Sequence, residues 1–277
     1  MQLPESSPSF SFAQFILPTG QAAWIPDDIE LCLPEKSSLA SGDLHYLLYL
    51  PWHDGYLEMV DAAYRDFFMV VLPYLHARST AVHVATCLPF IKDLIQAGPE
   101  PVDERVVQIA FILHDSGWSQ MSELEIAESL GVVGLSLSGH ALLPKARHAI
   151  LGQQIAQQVL AAYPFQPPLT SGQINDIYQA ILYHDRPQDL AAAGGIPPSL
   201  KMVCNVDHLW SFTHLNFWQD TLRKGVQPPE YLHNLGQDLD AYFVSEPGRI
   251  QARLLLDDRA LEVAAWRNWV KPATSNP

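Results

Sequence analysis

Val106-Val107-Gln108-Ile109-Ala110-Phe111-Ile112-Leu113 is an almost uninterrupted apolar run, and His114-Asp115 follows it directly. A helix that is apolar on nearly all sides is typical of the centre of a core. Ser116-Gly117 predicts the end of this helix, so two side chains able to bind metal are expected at a buried helix end. The His-Asp dipeptide alone is weak evidence, because the chain contains three of them. Its meaning depends on the residues that accompany it.

Four further potential metal ligands lie in segments with the apolar periodicity of helices: His83, His148, His184 and Asp207. The segments are far enough apart in the chain to form separate helices. A single histidine at such a position is more often an ordinary core residue, whereas a carboxylate on an apolar face is costly unless it is paired. Together with His114 and Asp115, these residues predict four imidazoles and two carboxylates converging in one helical core.

The rest of the chain predicts an all-α fold, because no strand-like alternation and no internal repeat stands out. Helices are expected over about 57–76, 80–97, 102–114, 147–163, 171–184 and 199–224, with a short one from 122 and two more within 229–269. Residues 1–55 are rich in Pro and Ser and are expected to form an irregular extension. Residues 56–225 would then form the helical metal-binding core, and residues 226–277 a C-terminal helical extension packed on it. Residues 131–145 are expected to be a loop beside the site.

The composition narrows the classes of partner. The net charge of −14 disfavours nucleic acid as a partner, because such a protein repels phosphate backbones. Cys32, Cys87 and Cys204 form no CxxC pair, so free thiols and a cytoplasmic protein are expected. No membrane association is expected, because the chain starts without the positive region of a signal peptide and no apolar run approaches the roughly 20 residues that span a bilayer.

The order His83, His114-Asp115, His148, His184, Asp207 resembles that of the HD superfamily of metal-dependent phosphohydrolases. The resemblance covers roughly residues 57–224 and implies an HD-domain helical bundle. It implies that His83, His114, Asp115 and Asp207 are the four ligands shared across the superfamily. His148 and His184 match the extra ligands of its binuclear members, in which the aspartate of the dipeptide bridges two ions.

This ligand set implies one or two divalent ions, with Fe or Mn favoured and Zn, Co, Ni or Mg as alternatives. Two ions can activate water and offset charge on a phosphoryl group. We therefore expect hydrolysis of a phosphate ester or anhydride of a small phosphorylated metabolite or nucleotide, with Asp115 and His114 as the catalytic residues. Side chains close to the ligands in sequence are expected to bind the substrate, and these are Arg78, Trp118, Lys145, Arg147 and Arg186. Arg147 and Lys145, which precede His148, are the first choice.

The chain departs from the family patterns at two positions. Many phosphohydrolases of this type read HDxGK, and here Trp118 takes the place of the lysine. The cyclic-dinucleotide branch has a second histidine where Asp185 stands, together with a Gly-Tyr-Pro motif that this chain lacks. These departures exclude that branch and leave the substrate open.

Two other functions stay open at this point. Mixed-valent di-iron oxygenases of the same superfamily, such as those resembling myo-inositol oxygenase, use the same six-ligand order to activate O₂. A non-catalytic scaffold that binds a metabolite or a protein partner would keep the site for stability alone. The complete ligand set argues against the scaffold, because a degenerate site is expected to have lost ligands.

Overall fold

The computed structural model describes residues 10–17, 20–33, 48–129, 142–191 and 195–270. These residues form one β-hairpin and eleven α-helices, which confirms the expected all-α fold class. The strands are β1 (Phe12–Ile16) and β2 (Ala22–Pro26). The helices are α1 (Arg65–Val71), α2 (Thr80–Ala97), α3 (Glu104–Leu113), α4 (Glu123–Ser129), α5 (Leu142–Ala162), α6 (Ser171–Tyr183), α7 (Gln188–Ala191), α8 (Pro198–Leu209), α9 (His214–Arg223), α10 (Pro228–Tyr242) and α11 (Glu246–Val270).

Helix α3 is the central element of the core. Every residue from Val106 to Leu113 is buried, and α3 packs against α2, α6 and α8. Its start is fixed by Asp103, whose side chain accepts a hydrogen bond from the backbone N–H of Val106. The expectation of a central helix over about 102–114 is therefore confirmed, with its end at Leu113, and His114-Asp115 lies among four packed helices.

Two of the expected long helices are interrupted. The segment 57–76 consists of a 3₁₀-helix (Asp54–Met59), α1 and a second 3₁₀-helix (Leu72–Tyr74). The segment 199–224 is divided between α8 and α9 by the 3₁₀ turn Trp210–Phe212. Thr213 starts α9 as its N-cap, because its side chain accepts a hydrogen bond from the N–H of Asn216. This break sets the direction of α9 independently of α8.

The N-terminal segment contains a regular element where an irregular extension is expected. Strands β1 and β2 pair in antiparallel fashion, with Phe12 opposite Pro26. Neither strand sequence, FAQFI or AAWIP, alternates apolar and polar residues, so no strand pattern stands out. The hairpin is held by packing: the ring of Phe12 contacts Trp218 and Trp269, and the indole of Trp266 donates a hydrogen bond to the carbonyl of Trp24.

The remaining expectations concern both ends of the core. Helices α10 and α11 confirm the two C-terminal helices. The expected loop 131–145 lies outside the described residues up to position 141, and α5 begins at Leu142, before the expected start at Arg147.

Within the described ranges, no helix combines the length and the apolar character that crossing a bilayer requires.

Candidate metal centre

The six predicted ligands converge on one point inside the helical core. His83 lies in the first turn of α2, His114 and Asp115 follow the end of α3, and the rest come from the neighbouring helices: His148 from α5, His184 from the end of α6 and Asp207 from α8. The four histidines and Asp115 are buried. Their ligand atoms form overlapping groups whose members lie within 4.8 Å of one another. The buried cluster could therefore hold a metal ion.

One half of the centre is formed by His83, His114, Asp115 and Asp207. Oδ2 of Asp115 lies 3.5 Å from Nδ1 of His83 and 3.6 Å from Nε2 of His114. Oδ1 of Asp207 lies 3.5 Å from Nε2 of His83 and 3.3 Å from Nε2 of His114. Two imidazoles thus face one oxygen from each of two carboxylates. We call this arrangement the first half-site.

The other oxygen of Asp115 faces a second pair of histidines. Oδ1 of Asp115 lies 3.3 Å from Nε2 of His148 and 3.6 Å from Nε2 of His184. The two Nε2 atoms are 3.1 Å apart. We call this arrangement the second half-site. Asp115 joins the two half-sites with one oxygen in each, which is the arrangement that a bridging carboxylate requires.

The backbone sets the orientation of two imidazoles. Nδ1 of His114 is 2.7 Å from the carbonyl oxygen of Phe111, and Nδ1 of His184 is 2.7 Å from that of Ile181. A carbonyl only accepts, so each Nδ1 carries a proton and donates it. In a neutral ring Nε2 is then an acceptor, and here it faces carboxylate oxygens, which are acceptors as well. A cation between them would satisfy both, as in metal-binding histidines held by backbone carbonyls.

An unpartnered atom supports the same interpretation. Nε2 of His83 is buried and has no hydrogen-bond partner among the described residues, although it faces Asp207. Buried polar atoms without a partner are rare, because they lose their hydration without compensation. The donor chemistry of the half-sites therefore fits a divalent ion.

The electrostatics of the cluster favour positive charge. Burial alone would raise the pKa of the Asp115 carboxyl, but His114 and the other histidines hold that pKa well below its ordinary value. The pKa of Asp207 is lowered in the same way, mainly because the imidazole of His114 lies 3.3 Å from its Oδ1. Burial opposes the charge of His184, yet its pKa is raised to about 9 because Asp115, Asp185 and Asp207 surround it. The carboxylates thus favour positive charge at His184, whereas burial lowers the pKa of His83 and of His148.

A cavity of about 410 Å³ opens beside the cluster. Besides the ligands, four cationic side chains line it: Arg78, Lys145, Arg223 and Lys224. Arg78 forms no ion pair with the described residues, and its Nε is buried without a hydrogen-bond partner. Its Cζ instead lies 4.2 Å from the ring centroid of Trp118. Arg78 and Ser79 both have positive φ, 56° and 64°, a strained backbone that is common at functional sites.

Only some of the side chains predicted to bind the substrate line the cavity. Arg78 and Lys145 line the cavity, and Lys145 also lies 3.4 Å from Oδ1 of Asp185. Arg147 does not line the cavity, because it is exposed and contacts Glu125. Arg186 pairs with Asp189 at 3.2 Å and also stays outside the cavity.

Trp118 has a different position from the one expected. Its side chain is buried behind the candidate ligands and is not part of the cavity wall. The ring is stacked on His148, with centroids 4.0 Å apart. Trp118 therefore contacts the ligands and Arg78, and a direct contact with a substrate in the cavity is not supported.

Sequence reasoning missed the wall of the cavity that α9 provides. Asp220 accepts hydrogen bonds from Arg223 at 3.0 Å and from Tyr231 at 2.7 Å, and Lys224 lies 2.9 Å from it. Arg223 also donates to Asn216 at 2.9 Å. The available signal was the spacing of Asp220 from Arg223 and Lys224, three and four residues apart. That spacing is common on solvated helix faces, so it does not by itself indicate a site.

Comparisons with protein-family models, with curated proteins and with solved structures found no match to this chain.

Proposed function

We propose that this protein is a metal-dependent phosphohydrolase of the HD type, which cleaves a phosphate ester or anhydride of a small phosphorylated metabolite or nucleotide. One observation carries the proposal: two half-sites joined by Asp115 open on a cavity lined by cations, one of which, Arg78, has no ion-pair partner among the described residues. A guanidinium without a partner beside a metal centre suits an oxyanion, since its planar donors match phosphate geometry.

The metal ligands would be His83, His114, Asp115 and Asp207 for one ion, with His148, His184 and Asp115 for a second. The mixture of imidazole and carboxylate favours Fe or Mn, with Zn, Co, Ni or Mg as alternatives. When bound, such ions would supply activated water near neutral pH and offset the charge of a phosphoryl group.

The protein's own side chains would bind and orient the substrate. Arg78 would hold phosphoryl oxygens next to the ligands, with Lys145 at the edge of the same cavity. Arg223 and Lys224 form the facing wall, where their common partner Asp220 offsets only one of their two charges. With metal ions offsetting Asp115, Asp185 and Asp207, which line the same cavity, these cations would attract anionic metabolites despite the net charge of −14.

A cytoplasmic location belongs to the same proposal. All three cysteines are free thiols, and Cys87 and Cys204 are buried. Free thiols persist in a reducing compartment, which would also supply small phosphorylated metabolites.

The test begins with protein purified without oxygen or chelator. Elemental analysis would give the metal content per chain, and release of phosphate from a panel of small phosphate esters and anhydrides would be followed alongside oxygen uptake. The expected result is bound Fe or Mn with phosphate release that needs no oxygen. His114→Ala should lose metal and turnover and keep its helical circular dichroism, whereas His233→Ala, an exposed histidine on α10, should retain both.

Other results would overturn the proposal. Oxygen uptake that depends on substrate, without phosphate release, would indicate the di-iron oxygenase. Absence of metal, even after metal is added back, would indicate the non-catalytic scaffold.

A further inference from the structure

Asp185 lies against the second half-site. It follows His184 directly after the end of α6, and its side chain is 13% exposed. Oδ2 of Asp185 lies 3.7 Å from Nε2 of His148 and 3.7 Å from Nε2 of His184. One carboxylate oxygen is thus placed equally against the two histidines that also face Asp115.

Asp185 is a second carboxylate beside His148 and His184, as Asp207 is a second carboxylate beside His83 and His114. Oδ1 of Asp207 faces His83 and His114 at 3.5 and 3.3 Å. His148 and His184 thus face an oxygen of Asp115 and an oxygen of Asp185, although these four residues do not form a single group within 4.8 Å as those of the first half-site do. Ligand atoms of His184, Asp185 and Asp207 also lie within 4.8 Å of one another, so Asp185 is within reach of an ion in the cluster.

We propose that Asp185 is a seventh metal ligand, which adds a carboxylate oxygen to His148 and His184 of the second half-site. The inference rests on the proposed metal-dependent function and deepens it, because it makes a two-ion centre the expected state.

A purely structural role for Asp185 explains less of the geometry. The ion pair with Lys145 involves Oδ1, and Lys145 is 42% exposed. Such partly exposed pairs contribute little to stability. That contribution does not offset the burial of a carboxylate. Oδ2 of Asp185, by contrast, faces two imidazole nitrogens. A metal ion bound between them would offset the negative charge of this carboxylate.

The inference also predicts which ions the second half-site selects. A carboxylate beside each pair of imidazoles raises the share of oxygen ligands, which favours Mn and Fe over softer ions. Lys145, bound to the other oxygen of Asp185, would then orient this ligand and tune its charge.

The test is a titration of metal-free protein with Mn²⁺, followed by calorimetry and by electron paramagnetic resonance of bound and free ion. Wild type should bind two ions with a signal of coupled Mn²⁺. Asp185→Asn should keep the affinity for one ion, weaken the other by at least about tenfold and lose the coupled signal. Asp185→Glu should recover part of the loss. Asp189→Asn is the matched control, since Asp189 is a half-exposed aspartate paired with Arg186, and it should behave as wild type.

The inference is overturned if Asp185→Asn binds two ions with wild-type affinities, or if wild type binds fewer than two. The proposed function fails in a different way. Wild type loaded with two ions would then release no phosphate, while the effect of Asp185→Asn on metal affinity would persist.

Discussion

The indole N–H of Trp118 donates a hydrogen bond of 2.9 Å to Oδ1 of Asp115, the oxygen that faces the second half-site. The ring of Trp118 is also stacked on His148, at 4.0 Å and 12°. Cζ of Arg78 lies 4.2 Å from the centroid of the same ring. An imidazole and a guanidinium at these distances cannot share one face, so Trp118 is held between them. Trp118 thus contacts two candidate metal ligands, Asp115 and His148, and the guanidinium of Arg78.

Replacement of Trp118 by Phe should weaken binding of the second ion. Trp118→Phe keeps a ring for stacking and removes the N–H that fixes Asp115. Loss of a partner that orients a metal ligand typically costs about 10–100-fold in metal affinity. Titration with Mn²⁺ would measure this effect, and urea unfolding would report any change in stability. Unaltered affinity in a folded variant would show that this hydrogen bond has no role in positioning Asp115.

Replacement of Arg78 by Gln should weaken anion binding without removing metal. Hydrogen bonds to a charged group contribute about 1.5–3 kcal/mol, which corresponds to roughly a 10–100-fold increase in the inhibition constant of inorganic phosphate. Elemental analysis should give the wild-type metal content. Arg147→Gln is the matched control, because Arg147 is exposed outside the cavity and should leave phosphate inhibition unchanged. Equal inhibition constants for both variants would show that Arg78 does not bind the substrate.

Replacement of Gly117 by Ala should destabilise the fold around the metal centre. A Cβ at this position would overlap the carbonyl oxygen of His148 and lie 2.5 Å from the backbone nitrogen of Gly152, so α5 would have to move. Overpacking of this kind costs about 1–3 kcal/mol, and more where backbone must shift. Gly172→Ala in the first turn of α6 is the control, since its nearest atom would be 3.9 Å away. Urea unfolding that gives the same stability for both variants would contradict this close packing.

The sequence predicts those parts of the fold and site that depend on local pattern. The run Val106–Leu113 identifies the central helix by its apolar character alone, and ligands on apolar stripes point toward the core that this helix occupies. Proximity in sequence is a poorer guide. Arg147 precedes His148, but adjacent residues on a helix project roughly 100° apart. His148 therefore faces the ligands while Arg147 faces solvent.

The α9 wall of the cavity depends on tertiary structure. Arg223 is buried because Asp220 and Asn216 accept its hydrogen bonds, and α9 points at the site only because the chain breaks at Thr213. Nothing in the local pattern distinguishes this basic residue from a solvated one. Its role could be seen only after the helices were placed.

His214 predicts how stability changes with pH away from the metal centre. Its Nδ1 lies 2.9 Å from Oε1 of Glu262 on α11, and its Nε2 lies 3.1 Å from Oδ1 of Asp28, just after the hairpin. Burial opposes the charge of His214, but these two carboxylates raise its pKa above the ordinary value of 6.5.

A group whose pKa is raised by folding stabilises the protein fully below its unfolded pKa, and this contribution is lost as pH rises through the folded pKa. The free energy of unfolding should therefore fall from about pH 6 to about pH 8.5 in wild type, and His214→Asn should lack this part of the decrease. Urea unfolding at both pH values would measure it, with exposed His233→Asn as the control that follows wild type. If His214→Asn and wild type lost the same free energy over this range, the ion pairs of His214 would not link the hairpin segment to α11.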